Sequence, residues 1–315
     1  MSEPSFHLAD LGDRRVLTVD GRAHETRYSA RVVRLLVERK GARRAPLYFP
    51  FKEERARLYL APLLRYLRGR GARDLSVLEV GASFGHMTEY LAEQPEIAEI
   101  HCFDTDPAFV DIVRAKVEEQ GLRAVTEVRL FGNDETRRLP WPGARFDLVL
   151  VVGVVEHLPA RNRRAQVDEY YRVLAPGGHI AILDTPNRLF PFETHSIGLP
   201  LVQWLPPRLA YAYARLARPG KFRPVSYASF VADGTGWRNA TLAECLPSSG
   251  ARGLVDVTEE AGYGWRFFQA TARSGRRRAL LPLFGAAAAA LRAVGQSPSL
   301  CLPYFNLLFR KAAGP

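Results

Sequence analysis

The turn that follows Glu79 has the composition of a loop that holds a nucleotide-like ligand. An apolar run ends at this acid, and small residues follow where a helix should begin: Gly81, Ala82, Ser83 and Gly85. This ending is typical of a buried parallel strand that turns sharply into a helix. Because glycine leaves the backbone bare, a ligand can approach such a turn closely. The pattern therefore predicts a binding site at the end of this strand.

Two classes of ligand bind at the carboxyl end of a first strand in doubly wound sheets, namely dinucleotides and S-adenosylmethionine. A dinucleotide fingerprint, G-x-G-x-x-G, would place its second and third glycines at Ser83 and His86. The chain instead has acid-x-Gly-x-Ser-x-Gly, which disfavours a dinucleotide. Ser83 has a Cβ, so it tolerates a positive φ poorly, and its hydroxyl would lie within reach of the ligand.

An acid also ends the next predicted strand. Asp104 stands there, followed by Thr105. A carboxylate at a strand end can accept hydrogen bonds from both hydroxyls of a ribose, so we assign Asp104 to that role. Asp106 and Pro107 have instead the pattern of a helix start, with Asp106 as the N-cap.

Two histidines are candidates for a general base, because an imidazole titrates near neutral pH. His157 follows the fourth predicted strand, and its alternative role is a structural hydrogen bond at a helix start. His195 lies in the loop after the fifth strand, where Glu193 could orient it. The alternative for that loop is a set of polar contacts that only hold its shape.

These residues need a parallel sheet with helical crossovers, which brings the strand ends to one edge. Apolar runs predict strands at Ser76–Val80, Ile97–Phe103, Val125–Leu130, Phe146–Val152 and His179–Leu183. Helices are predicted near 86–94, 107–120 and 161–174, and a sixth and a seventh strand at Val255–Val257 and Tyr304–Arg310. The predicted fold class is α/β with a doubly wound sheet.

Glu79 to Gly85 resembles motif I of the class I S-adenosylmethionine-dependent methyltransferases, with Ser83 in place of the middle glycine. Four later segments resemble the LPF, FDLV, VLEHL and R-x-L-x-PGG motifs of small-molecule members, the type 11 and ubiquinone-pathway-like group; they are Leu139–Pro142, Phe146–Leu150, Val154–Leu158 and Arg172–Gly178. The resemblance covers residues 75–185. It implies a Rossmann-like methyltransferase fold, with a seven-stranded and mostly parallel sheet, an N-terminal helical cap and an insertion after strand five.

Three segments follow from this resemblance and from the composition on either side of it. Residues 1–72 are predicted to form a hairpin and a helical lid, because Arg15–Val19 leads into a turn and two helical patterns follow. Residues 73–185 are the predicted cofactor-binding core. Residues 186–315 are predicted to contain an acceptor-binding insertion, rich in proline and aromatic residues, and the strands that complete the sheet.

The resemblance implies S-adenosylmethionine as the cofactor. The residues that it assigns to the cofactor site are Glu79, Gly81, Ala82, Ser83, Gly85, Asp104, Thr105, Asn133, Asp134 and Val152. Asn133 and Asp134 follow the third strand, where the family usually places an acid or amide against the adenine amino group. A simple polar turn is the alternative for Asp134.

The implied activity is methyl transfer to a small-molecule acceptor. The preferred acceptor is a hydroxyl of a glycan, lipid or secondary metabolite. A loop related to Asp184–His195 occurs in members of the family from such pathways. The alternatives are N-methylation of a small molecule and a catalytically silent cofactor-binding protein that acts by interaction. A nucleic-acid methyltransferase is disfavoured, because no Asn/Asp-Pro-Pro-aromatic box follows the fourth strand.

The sequence gives little support for a metal site. Ubiquinone-pathway relatives carry Glu-x-x-Glu-His after the fourth strand, and here the first of those glutamates is Gly153. Glu156 and His157 alone make a poor site for a hard cation, which prefers several oxygen ligands. We therefore expect no metal.

Composition limits the partners and the location. The net charge of +11 comes mostly from arginines spread along the chain, so we expect no nucleic-acid partner. Three distant cysteines and the lack of an early apolar block favour a cytoplasmic protein without disulfides. Residues 279–291 are apolar but too short to span a bilayer, so we expect no stable insertion. Peripheral membrane contact through 276–292 and the oligomeric state stay open.

Overall fold

The computed structural model describes residues 6–313, except for the side chains of residues 276 and 277. Its strands are β1 (Phe6–Asp10), β2 (Arg15–Val19), β3 (Arg22–Thr26), β4 (Leu75–Val80), β5 (Ile97–Asp104), β6 (Val125–Leu130), β7 (Phe146–Val152), β8 (Leu174–Pro186), β9 (Leu254–Asp256) and β10 (Tyr304–Lys311). Its α-helices are α1 (Ala30–Lys40), α2 (Arg57–Arg68), α3 (His86–Ala92), α4 (Pro107–Gln120), α5 (Arg163–Val173), α6 (Pro207–Ala217), α7 (Pro219–Phe222), α8 (Tyr227–Val231), α9 (Trp265–Thr271) and α10 (Gly275–Ala293).

Seven strands form one sheet in the order β6-β5-β4-β7-β8-β10-β9, and β1-β2-β3 form a smaller one. The large sheet is mostly parallel, and β10 runs antiparallel to both β8 and β9. The predicted fold class, a doubly wound and mostly parallel α/β sheet of seven strands, is confirmed. The chain divides between Gly132 and Asn133 into two compact units.

In the first unit, β1, β2 and β3 form an antiparallel sheet. The sequence predicts β2 and the hairpin turn after it, and it misses β1. The turn places Asp20 and Gly21 at positive φ angles of 47° and 79°. Leu17 of β2 and Leu36 of α1 are buried in one apolar cluster that also contains Phe84. The N-terminal sheet and helix are therefore packed against the residues that follow β4.

The first unit also contains the parallel strands β4, β5 and β6, connected by α3 and α4. Val77 of β4 lies opposite Ile100 of β5, so the two strands end side by side. Helix α4 begins as the sequence predicts, because the side chain of Asp106 accepts the N–H of Ala108 and Pro107 is its first residue. The carboxyl ends of β4 and β5 consequently meet at one edge of the sheet.

In the second unit, β7 and β8 pair in parallel. Helix α5 ends at Val173 and β8 begins at Leu174, five residues before the predicted start at His179. Leu174 lies opposite Phe146, and His179 lies opposite Leu148. The residues between Leu174 and His179 therefore form a bulge within a longer strand, which a pattern of apolar residues does not reveal.

Residues 186–237 contain α6, α7 and α8 and have an apolar core of their own. Val202, Phe222 and Trp237 are among its buried members. This core explains the richness of the segment in aromatic residues. It also shows that the segment is a folded layer rather than a long open loop.

Helix α10 is longer than the apolar segment in the sequence and is only partly covered. Phe284 packs against Phe268, with ring centroids 5.0 Å apart, whereas Leu283 is 67% exposed. Within 276–292, the side chains of residues 276 and 277 lie outside the described ones. Among the residues that the structure describes, no helix is both long and apolar enough to cross a membrane.

Candidate functional site

The turn after β4 contains three residues with a positive φ. Gly81, Ser83 and Gly85 have φ angles of 70°, 50° and 72°. A residue with a Cβ is strained in this region by about 1–2 kcal/mol, so Ser83 is held there by its surroundings. The N–H groups of Gly81 and Ala82 both donate to the carbonyl oxygen of Phe103 at 3.0 Å. The turn is thus fastened to the end of β5.

Asp104 fastens the same turn through its carboxylate. Its Oδ2 accepts the N–H of Ser83 at 2.8 Å, and its Oδ1 accepts the N–H of Asp106 at 2.9 Å. Burial raises the pKa of Asp104, and the backbone hydrogen bonds act in the opposite direction. Because a carboxylate offers about four lone-pair sites, it keeps capacity for further donors such as hydroxyls. Thr105, the next residue, is exposed.

Glu79 is buried within β4, with 3% of its surface exposed. The hydroxyl of Thr88 donates to its Oε2 at 2.6 Å. Burial raises the pKa of Glu79 to about 8, and the hydrogen bond from Thr88 offsets only part of this effect. Glu79 is therefore mostly protonated at neutral pH. It supports the turn from inside the unit as a neutral acid.

The residues around Gly85 pack inward. A Cβ on Gly85 would lie 3.2 Å from Cγ2 of Val113 in α4. His86 is buried, and its Nε2 lies 3.1 Å from the carbonyl oxygen of Tyr48. Burial lowers the pKa of His86 well below its usual value, so its neutral ring donates to that carbonyl. Phe84 lies beside Tyr48, with ring centroids 4.2 Å apart.

Asn133 and Asp134 begin the second unit and belong to a polar turn there. Gln166 and Thr136 donate to the backbone oxygen of Asn133 at 3.0 Å and 2.9 Å. The side chain of Asp134 is 69% exposed, and its Oδ1 accepts a hydrogen bond from the amide of Asn162 at 2.8 Å. The assignment of this turn to adenine stays a prediction.

The two candidate histidines meet in the second unit. Nε2 of His157 lies 3.1 Å from Nε2 of His195. Nδ1 of His157 lies 2.7 Å from the carbonyl oxygen of Gly234. Since a carbonyl can only accept, this nitrogen carries the proton and Nε2 of a neutral His157 has a lone pair. Val152 ends β7 opposite Leu183, five residues before His157.

A carboxylate accompanies the histidine pair. Oε1 of Glu156 lies 3.9 Å from Nε2 of His157, and the Glu156 side chain is fully buried. The side chain of His157 is 39% exposed, and His195 is exposed as well. The pair therefore opens to solvent on one side and has a buried acid on the other.

Glu193 does not act on the imidazole in the way that the sequence suggests. Its carboxylate is buried and accepts four backbone N–H groups, those of His195, Ser196, Ile197 and Gly198, at distances of 2.5–2.8 Å. These contacts fix the loop, and they hold His195 by its backbone rather than by its ring. Glu193 thus makes polar contacts that hold the loop, and the role of His195 as a base stays a prediction.

A third segment, which the sequence does not predict to be part of the site, supports the histidine pair. The carbonyl oxygen of Gly234 accepts a hydrogen bond from Nδ1–H of His157, and Gly236 lies against both rings. A Cβ on Gly236 would lie 2.9 Å from Cε1 of His157 and 3.2 Å from Cδ2 of His195. The closely spaced glycines at 234 and 236 are the only signal in the sequence, and they have no motif around them.

Part of the chain is similar to known methyltransferases. Residues 78–180 match the family model described as a methyltransferase domain. The chain is 32% identical over 110 residues to the demethylmenaquinone methyltransferase of Thermus thermophilus, a match of 35% of this chain and 47% of that protein. It is 29% identical over 110 residues to an uncharacterised protein of Haemophilus influenzae, with 35% and 42% covered. The chain thus spans less than half the length of each curated relative.

Solved structures resemble the chain more distantly. A methyltransferase dependent on S-adenosylmethionine from Aquifex aeolicus is 23% identical, with a TM-score of 0.36, and 51% of this chain and 82% of that one are covered. The YcgJ protein of Bacillus subtilis is 16% identical, with a TM-score of 0.40, and 81% and 99% are covered.

Proposed function

Residues 78–180 belong to the class I S-adenosylmethionine-dependent methyltransferases, and we propose on this basis that the chain transfers a methyl group from S-adenosylmethionine to a small-molecule acceptor. The first candidate for the acceptor atom is a hydroxyl oxygen of a glycan, a lipid or a secondary metabolite. The cytoplasm is the proposed compartment, and the free thiols of Cys102, Cys245 and Cys301 are consistent with it.

The observation that carries the cofactor side is the hydrogen bond between Asp104 and the N–H of Ser83. It fixes a glycine-containing turn and a carboxylate with spare acceptor capacity next to each other in one unit. Gly81, Ala82, Ser83 and Gly85 are proposed to line the cofactor, and Asp104 to accept its ribose hydroxyls. Thr105, Asn133, Asp134 and Val152 are proposed as further contacts, and Glu79 acts through the shape of the turn.

When bound, the sulfonium of S-adenosylmethionine supplies an electrophilic methyl carbon. The protein then has to align the acceptor with that carbon and exclude water. A hydroxyl acceptor also needs a proton acceptor, whereas an amine needs only to be unprotonated. The lone pair on Nε2 of His157 and the neighbouring ring of His195 support a proton-accepting role for this pair. Residues 186–237 are proposed to hold the acceptor.

Isothermal titration of the purified full chain with S-adenosylmethionine and with its demethylated product tests the proposal. We expect a dissociation constant in the micromolar range. Asp104→Asn should weaken binding at least tenfold, because an amide cannot accept with both of its polar atoms. Asp111→Asn, an exposed change on α4, is the matched control and should bind normally. Absence of binding by the folded wild-type chain would rule out the proposed function.

A further inference from the structure

Glu156, His157 and His195 form a cluster in which one ligand atom of each lies within 4.8 Å of the others. We infer that these three side chains bind a divalent transition-metal ion, for which Zn²⁺ is the representative. In the sequence, only Glu156 and His157 are adjacent, and these two residues alone predict no metal. His195 comes from a loop 38 residues later, and the structure brings it to the same point.

The distances suit a shared ion. Zinc binds imidazole nitrogens at about 2.0–2.1 Å, so two nitrogens on one tetrahedral ion lie about 3.4 Å apart and on an octahedral ion about 2.9 Å apart. The 3.1 Å between the Nε2 atoms of His157 and His195 falls between these values. The 3.9 Å from His157 Nε2 to Glu156 Oε1 is longer, so the carboxylate has to move towards the imidazoles when the ion binds.

The surroundings of His157 fix the tautomer in which Nε2 can bind a metal ion. A metal-binding histidine usually donates its second ring N–H to a carbonyl or carboxylate, which fixes the tautomer. The carbonyl oxygen of Gly234 accepts a hydrogen bond from Nδ1–H of His157 at 2.7 Å. The other ring nitrogen, Nε2, is therefore the one that binds the ion. Gly236 has no Cβ, and that allows the same loop to lie against both imidazoles. The loop is thus a support for the ring orientation.

The ligand set also indicates the class of ion. Two imidazoles and one carboxylate suit zinc, iron(II), cobalt or nickel, whereas magnesium and calcium prefer oxygen ligands. A divalent ion with one carboxylate and two neutral imidazoles has a net charge of about +1. Because His157 and His195 are open to solvent, a further position on the ion is accessible to a small molecule.

The binding site does not depend on methyl transfer; only its role at the acceptor rests on the proposed function. An ion bound to both Nε2 atoms would replace the hydrogen bond between them and occupy the lone pair of His157 Nε2 that otherwise accepts a proton. The acceptor hydroxyl would then bind the ion and release its proton more easily to solvent water, which reaches the exposed side of the histidine pair, as water on zinc also does. The histidines would hold the ion and would not take the proton themselves.

The test is a titration of the chelator-treated full chain with Co²⁺, followed by visible absorption and by displacement with Zn²⁺. We expect one ion per chain, with d–d bands that report nitrogen and oxygen ligands. His195→Gln changes an exposed side chain, so the fold should survive. It removes a direct ligand, so binding should weaken by more than the roughly 10–100-fold that loss of an outer-shell partner costs. Glu156→Gln and His157→Gln should do the same. His7→Gln, an exposed change on β1, is the control and should leave binding unchanged.

The inference is overturned if the wild-type chain binds no ion, or if His195→Gln binds it as tightly as the wild type. Methyl transfer that is lost in His157→Gln but insensitive to chelation would overturn the role of the ion at the acceptor, and would leave a metal-free base at this site. Ion binding by a chain that does not bind S-adenosylmethionine would support the metal site while the proposed function fails.

Discussion

Glu79 connects the cofactor turn to the pH dependence of folding. Burial raises its pKa to about 8 from an ordinary value of 4.5. A group whose pKa is higher in the folded state stabilises the fold fully below its unfolded pKa. That contribution is lost as the pH rises through the folded pKa. For Glu79, the loss falls between pH 4.5 and about 8 and is on the order of 4 kcal/mol.

We therefore predict that Glu79→Gln becomes more stable relative to the wild type as the pH rises. A glutamine stays neutral at every pH and can still accept from the hydroxyl of Thr88, so it avoids the cost of ionisation. Urea unfolding of both proteins at pH 5 and pH 8 measures the difference. Glu119→Gln, an exposed change on α4, is the control. A stability difference that is the same at both pH values would contradict the prediction.

Ser83 shows what a family motif does and does not predict. The spacing of Glu79, Gly81 and Gly85 marks the turn correctly, although a serine replaces the middle glycine. The structure gives Ser83 a φ of 50°, so the backbone keeps the form that a glycine would take. The hydrogen bond from its N–H to Asp104 explains how a strained residue is retained. That contact joins two strand ends 21 residues apart, which spacing alone could not establish.

At the scale of elements, two of the motif segments, Leu139–Pro142 and Arg172–Gly178, contact each other. The guanidinium of Arg172 in α5 donates to the carbonyl oxygens of Leu139 and Trp141 at 3.1 Å and 2.9 Å. It also pairs with Glu169 one turn earlier, at 2.7 Å. The R-x-L and Leu-Pro-Trp segments are therefore connected by hydrogen bonds from Arg172. Their order in the sequence is part of the resemblance, and the contacts of Arg172 connect α5 to the segment before β7.

The bulge in β8 depends on Gly178. A Cβ there would lie 2.9 Å from the backbone oxygens of Ala175 and Asp147, closer than real Cβ contacts allow. We predict that Gly178→Ala destabilises the fold by about 2–3 kcal/mol, because backbone rather than a flexible side chain must move. The midpoint of thermal or urea unfolding measures this loss. Gly220→Ala, with no atom within 4 Å of its added Cβ, should change the midpoint little. Equal midpoints for the two variants would show that β8 tolerates the methyl group.

Apolar and polar patterns predicted the strands of the large sheet closely, and its central strands β4, β7 and β8 consist mostly of buried residues. They failed where tertiary contacts decide. The strand β1 has only partly buried residues, and β8 starts early through its bulge. The candidate acceptor site is the clearest case, since His157, His195 and Gly234 come from three separate segments. Each residue type was informative on its own, but no spacing rule joins them.

At the scale of the whole molecule, exposed apolar residues collect on one side of the second unit. Leu280 and Leu283 of α10 are 46% and 67% exposed, and Leu189 and Trp204 are 53% and 50% exposed. Phe190 stacks on Phe284 of α10 at 6.0 Å, which places the loop of Leu189 beside the helix. Trp204 donates to the backbone oxygen of the residue before Leu189. We infer that these exposed apolar side chains together form an interaction surface.

We predict that this surface binds lipid vesicles peripherally, with help from the net charge of +11. Sedimentation with vesicles that contain anionic lipid should retain the full chain at low salt, and neutral vesicles should retain less. Leu283→Glu should reduce binding several-fold, because it places a charge among the apolar side chains. Leu216→Glu on α6 is the matched control, since Leu216 is 84% exposed. If both variants bind as the wild type does, attraction between charges alone explains the binding, and α10 has no part in it.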